Sequence, residues 1–174
     1  LLPSVVTVSI LFDGNFIRPY YSVYNYNKSN YYDQTESVNG YALLNGITVD
    51  AKTQKFLEEL KYIFDENNFE KGGDVFGYGI PGLVYLLEGT SPGMPWYYNK
   101  ARDLAAMERY HVTNKLPVFL VSENEPISDE LMVVIKSKGI NFPDEYDLKG
   151  EVFFPNKLCN LNVYFPKENK EINE

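Results

Sequence analysis

Cysteine and histidine each occur once in 174 residues, as Cys159 and His111. A single cysteine forms no internal disulfide and no thiolate cluster for zinc. A single histidine rules out His-rich metal sites and paired-histidine mechanisms. Nucleophilic hydrolysis would need His111 beside Cys159 or a serine, and no Gly-x-Ser-x-Gly elbow presents a serine. Cys159 is expected as a buried thiol. Its isolation means that the fold does not depend on oxidation, whatever the compartment.

Basic clusters are also missing. No stretch of four or more Lys/Arg exists, and the formal net charge is -8. That field repels phosphate backbones, so no nucleic-acid partner is expected. No run of about 20 apolar residues is present to span a bilayer as a helix. The stretch Leu1 to Phe12 is apolar but is interrupted by Pro3, Thr7 and Ser9, and lacks the basic start of a signal peptide. Its β-branched Val5, Val6, Thr7, Val8 and Ile10 favour a strand. The other reading is the tail end of a membrane helix. The chain opens on Leu1 rather than Met, which suggests a processed protein or an excised piece of a larger one.

Phosphate-binding loops are absent too. Gly72-Gly73-Asp74 and Gly77-Tyr78-Gly79 lack the spacing of the dinucleotide fingerprint, and no Gly-Lys-Ser/Thr follows as in a P-loop. They are expected as tight turns and close-packing sites. No cofactor is implied.

Aromatic residues are abundant instead, with 15 Tyr, 11 Phe and 1 Trp. Tyrosine covers apolar surface while keeping a polar tip in water, which suits interfaces and sugar-binding surfaces. Residues 13 to 40 are polar and aromatic and are expected as a long loop region. Tyr20, Tyr21, Tyr24, Tyr26, Tyr31 and Tyr32 fall within it, and Asn27-Lys28-Ser29 matches the glycosylation sequon. The loop Thr90 to Tyr98 combines proline with Met94, Trp96, Tyr97 and Tyr98. Aromatic faces stack on sugar rings, so Trp96, Tyr97, Tyr98, Tyr24 and Tyr26 are the candidate carbohydrate contacts. The bland alternative is that Trp96 plugs the core beneath its loop.

Regular structure is legible between these loops. Tyr41 to Val49 reads as a short extended segment. Asp50 caps a helix over 51 to 67, with Phe56, Leu57, Leu60, Ile63 and Phe64 on one face. Asp74 to Tyr78 reads as a buried strand, and Pro81 opens a short helix that closes at Gly89. A helix over 99 to 111 is expected to turn Ala101, Leu104, Ala105 and Tyr110 inward. Val118 to Val121 reads as a central strand. Ser128 caps a helix ended by Gly139, with Asp129 and Glu130 complementing its dipole. Glu151 to Phe154 and Leu161 to Phe165 are late strands, and residues 167 to 174 a frayed tail. Strands alternating with helices predict one soluble α/β domain over residues 1 to 174. Its expected sheet is layered and mostly parallel, Rossmann-like, with an antiparallel pair at one edge.

Two carboxylate groups stand out. Glu123 and Glu125 follow an apolar strand, where α/β folds place ligand groups. They support a carboxylate-dependent enzyme as one alternative, and a solvated loop as the bland one. Asp144, Glu145 and Asp147 lack the spacing of an EF-hand and read as surface charge. No metal site is expected.

One segment carries a family pattern. Asn45-Gly46-Ile47-Thr48-Val49-Asp50 precedes a helix, then Gly73-Asp74-Val75-Phe76-Gly77-Tyr78. Next come Pro81-Gly82-Leu83-Val84-Tyr85-Leu86-Leu87-Glu88-Gly89-Thr90 and Ser91-Pro92. The pattern resembles the soluble C-terminal region of polytopic bacterial glycosyltransferases similar to the dolichyl-phosphate-mannose mannosyltransferase family. It covers roughly residues 40 to 121. Val84-Tyr85 stands where the family often has two tyrosines, and Glu88-Gly89 where Thr-Gly is common. The resemblance implies an extracytoplasmic (periplasmic) accessory domain of an integral membrane protein that transfers sugar from a lipid-linked donor. Its implied partners are the membrane-embedded portion of the same protein and a glycan or lipid-linked sugar. Catalytic acidic residues would lie in membrane-adjacent loops outside this chain, so none is assigned here. A glycan- or protein-binding module using the surface aromatics is the alternative.

Overall fold

The computed structural model of the protein describes residues 31–94, 97, 100–112 and 115–167. The expected strand at Leu1 to Phe12, the loop residues 13 to 30 and the tail from 168 onward lie outside the described residues. Two compact units are present: Leu1–Leu60 with Phe153–Cys159, and Lys61–Val152 with Asn160–Glu174.

In the first unit, strand β1 (Glu36–Ser37) pairs antiparallel with β2 (Thr48–Val49). Of the expected extended segment Tyr41 to Val49, Thr48–Val49 is strand, whereas Ala42–Leu44 form a 3-10 turn. Asn45 and Gly46 then form a tight turn, with Gly46 at φ 77 and the Ile47 N–H donating to the Leu44 carbonyl at 3.0 Å. Glycine meets the positive φ of this turn at no steric cost. Helix α1 (Ala51–Glu66) begins in this unit. Asp50 caps it as expected: Oδ1 accepts from the N–H groups of Lys52 and Thr53, each at 3.1 Å, and Oδ2 accepts from the Thr53 hydroxyl at 2.7 Å. Phe56, Leu57 and Leu60 are buried at the spacing of one helical face. Phe56 stacks on Phe154 with ring centroids 4.9 Å apart, and the Tyr41 hydroxyl donates to the Leu57 carbonyl at 2.7 Å. Replacing Asp50 by alanine removes the cap and is expected to cost about 1–2 kcal/mol. Thermal or urea unfolding measures it, with Asp50→Asn expected to keep most of the stability.

The second unit holds all but the hairpin end of a four-stranded sheet in the order β3-β4-β6-β5. Its strands are β3 (Val75–Gly77), β4 (Val118–Ser122), β5 (Tyr146–Phe154) and β6 (Cys159–Pro166). β3 and β4 are parallel, pairing Phe76 with Phe119. β4 and β6 are antiparallel, pairing Phe119 with Tyr164 and Ser122 with Leu161. β5 and β6 are joined by the turn 155–158, a connection short enough only for a hairpin. The sheet is therefore mixed rather than mostly parallel. The cause is the hairpin, which inserts its second strand beside β4 and leaves its first at the edge.

Helices flank both faces. On one side, α2 (Pro81–Leu86) packs on β3, where Gly77 leaves room for Val84. On the same side, Phe64 at the end of α1 meets Phe165 edge-on at 5.2 Å. Ile63 lies close enough to Gly150 that an added Cβ would overlap it. The other side carries α3 (Lys100–Arg109) and α4 (Asp129–Ser137). Their Ala106, Met107, Leu131 and Ile135 close over Phe76, Phe119, Phe142 and Tyr146. Ser128 caps α4, accepting from the Leu131 N–H at 3.4 Å. Helix α3 turns Tyr110 inward as expected and half-buries Leu104 and Ala105, but its buried face is centred one position away, on Asp103, Ala106 and Met107. Asp103, Ala106, Met107 and Tyr110 are buried, while Ala101 is exposed. Small apolar alanines left the phase underdetermined, and the buried carboxylate of Asp103 ran against the simple pattern.

Candidate functional site

The parallel strands β3 and β4 release the chain at the same end of the sheet, where α/β folds place ligand groups. Tyr78 follows β3, and Ser122, Glu123 and Glu125 follow or end β4. Asp103 of α3 joins them: it is 1% exposed and hydrogen-bonds the Tyr78 hydroxyl. Burial, then the negative charges of Asp103 and Glu125, raise the Tyr78 hydroxyl above its ordinary range. Tyr97 stands beside Tyr78 in a parallel bridge, with the Gly79 N–H donating to the Tyr97 carbonyl at 2.7 Å. Its hydroxyl is raised by burial and then by the charge of Asp103. The result is a buried carboxylate beside two tyrosines at a strand end, of which only Tyr78 is partly exposed.

Thr90 and Tyr97 pair with the outer edge of β3. The Val75 N–H donates to the Thr90 carbonyl at 2.8 Å, and the Thr90 N–H donates to the Gly73 carbonyl at 2.9 Å. Two parallel bridges, Asp74 with Thr90 and Tyr78 with Tyr97, bracket this segment. Gly93 within it packs on the backbone of Ala106.

Tyr97 itself is 0% exposed. Its ring lies 4.5 Å from that of Phe76, and its hydroxyl donates to the Pro92 carbonyl. It presents no face to a sugar here, and its aromatic area serves the core. Trp96, Tyr98, Tyr24 and Tyr26, the remaining carbohydrate candidates, lie outside the described residues. Asp103 and Tyr78 escaped the sequence reading. A lone aspartate in a helix looks like surface charge, and only the helix phase reveals it.

Glu123 and Glu125 divide in role. Glu123 accepts from the Asn160 N–H at 3.2 Å, and Asn160 also donates to Glu151 at 2.8 Å, which ties β4 to the β5–β6 hairpin. Glu125 turns back on β4, its N–H donating to the Ser122 carbonyl at 3.1 Å, and its charge reaches Tyr78. Cys159 is buried and His111 exposed. Asp147 pairs with Lys149 at 3.3 Å, and Glu145 accepts from the Asn141 side chain at 2.9 Å. Among the described residues, no group of three or more His, Cys, Asp or Glu is arranged to hold a metal. Among the same residues, no helix is long and apolar enough to cross a membrane.

Deeper in the core, the Tyr110 hydroxyl donates to Asp74 at 2.6 Å. Burial, then that bond, raise it far above the ordinary tyrosine value. Tyr146 is raised by burial and then by Glu145, and its hydroxyl is buried with no partner among the described residues. The two phenols therefore predict opposite results. Tyr110→Phe strips a carboxylate of its donor and is expected to cost about 1.5–3 kcal/mol. Tyr146→Phe removes an unsatisfied group and is expected to be neutral or slightly stabilising by urea unfolding.

These phenols also set an alkaline limit. Unfolded tyrosine ionises near pH 10, and Tyr78, Tyr97, Tyr110 and Tyr146 are all raised in the fold. The folded state keeps protons that the unfolded chain would release. Stability from these groups is thus full below about pH 10 and is lost as pH rises above it. Ultraviolet phenolate titration is expected to show these four ionising only as structure is lost. Ionisation of all 15 tyrosines as one class with structure intact would contradict it.

Comparisons with protein-family models, with curated proteins and with solved structures found no significant match to this chain.

Proposed function

We propose that the chain is a non-catalytic accessory domain of a membrane glycosyltransferase that uses a lipid-linked sugar donor. One observation carries the reading. The residues that resemble the glycosyltransferase C-terminal region coincide in part with a packed strand–turn–helix unit. Val75 and Phe76 of β3 are fully buried, and Leu83, Val84 and Leu87 of the following helix are buried or nearly so. The two glycines of the pattern that permit this are Gly77, facing Val84, and Gly89, facing Val75. The parallel crossover from β3 to β4 supports the Rossmann-like reading of the fold.

In this role the domain sits at the extracytoplasmic face of the membrane and supports the membrane-embedded part of the same protein. Sugar or lipid-linked sugar is the ligand class in this reading, and Tyr78 and Glu125, both partly exposed at the strand ends, are the polar groups available to it among the described residues. The full-length gene provides the test. Several membrane spans encoded upstream of Leu1 are expected, and a parent lacking them would overturn the proposal.

A further inference from the structure

The two edges of the four-stranded sheet are treated differently. The outer edge of β3 is met by Thr90 at one end and Tyr97 at the other. β5 ends the sheet on the other side and pairs only with β6 among the described residues. It is nine residues long, and Leu148 on it is 52% exposed. Long uncovered edges are templates for pairing with another strand. We propose that β5 pairs with β5 of a second copy of the chain, antiparallel about a two-fold axis at Gly150.

The charge pattern selects this partner and this register. β5 carries Asp147, Lys149 and Glu151 at alternate positions. Centred on Gly150, Lys149 stands directly opposite the partner copy's Glu151 and Glu151 opposite its Lys149. A two-fold interface repeats each contact. The same register sets Leu148 opposite Val152 and covers the exposed leucine twice. Centring on Lys149 would oppose two lysines and set Asp147 against Glu151. Centring on Leu148 would pair Asp147 with Lys149 but set Glu145 against Glu151. Like charges directly opposite destabilise a strand pair. The existing contacts of this row, Lys149 with Asp147 and Glu151 with Asn160, lie between exposed groups and compete only weakly.

Sedimentation velocity on the full chain over a range of concentrations tests the proposal. The wild type is expected to dimerise reversibly. Lys149→Glu and Glu151→Lys are each expected to weaken the dimer roughly tenfold or more, because each reversal acts twice. An equimolar mixture of the two variants is expected to form a heterodimer, and the double swap to restore the homodimer. Circular dichroism confirms folding of each variant. A wild type that stays monomeric at its highest soluble concentration would overturn the proposal. So would protection from hydrogen exchange, in that monomer, of the outward β5 amides that do not bond β6, which would place another part of the chain on the edge. A dimer indifferent to both single reversals would locate the interface elsewhere and overturn it too.

Discussion

Phe119→Ala is expected to destabilise the protein by about 3–5 kcal/mol. Phe119 is 0% exposed at the centre of β4. Its ring stacks on Phe142 at 4.3 Å and meets Phe76 and Tyr146 at 5.1 Å each. Truncation loses transfer free energy and also leaves a cavity. The surrounding rings are rigid and held by both helices of that face, so the void closes poorly. Urea denaturation gives the magnitude. Phe153→Ala is the control, since Phe153 is 49% exposed and its loss is expected to cost little. A Phe119→Ala loss below about 1 kcal/mol would show that this aromatic cluster is not the core.

Gly93→Ala is expected to cost about 2–5 kcal/mol, from left-handed strain and overpacking together. Gly93 has φ 73, and an added Cβ would stand 2.6 Å from the Ala106 carbonyl oxygen and 3.2 Å from the Tyr97 hydroxyl. The obstacle is helix backbone, which cannot rotate aside. Gly72 separates the two causes. It has φ 82 with open space around its Cβ position, so Gly72→Ala reports the strain alone, about 1–2 kcal/mol. Equal losses at the two positions would mean that the loop does not press on α3. The larger loss at Gly93 is also expected to loosen Tyr97 beside Tyr78, which near-ultraviolet circular dichroism detects.

Much of this fold is legible in the chain, because local chemistry and burial agree. Asp50 and Ser128 cap helices where their side chains reach the first turn. Val118 to Val121 is apolar without interruption, and it is indeed a central strand buried on both faces. The first half of β5 is hidden in the sequence because Asp147 reads as surface charge, and the polar, glycine-containing stretch around it carries no strand alternation. Those residues are strand because they pair with β6 across the hairpin, which their own polar character does not signal. The direction of β6 beside β4 was equally invisible, since apolar alternation does not encode whether a neighbour runs parallel. The candidate site shows the same limit. Glu125 was found from its place after a strand. Asp103 and Tyr78 meet only through the phase of α3. Tyr97 was chosen for its ring chemistry, yet that ring fills the core, because burial depends on how the loop lies against β3.

Glycosyl transfer from polyprenyl-phosphate-linked sugars measures the proposed role most directly. The donor is presented in membranes to the full-length parent, to the parent lacking this domain, and to the isolated chain. The predicted result is transfer by the parent, a marked loss on deletion, and no turnover by the chain alone. Sugar release by the isolated chain, or a parent whose transfer is unchanged without the domain, would contradict it.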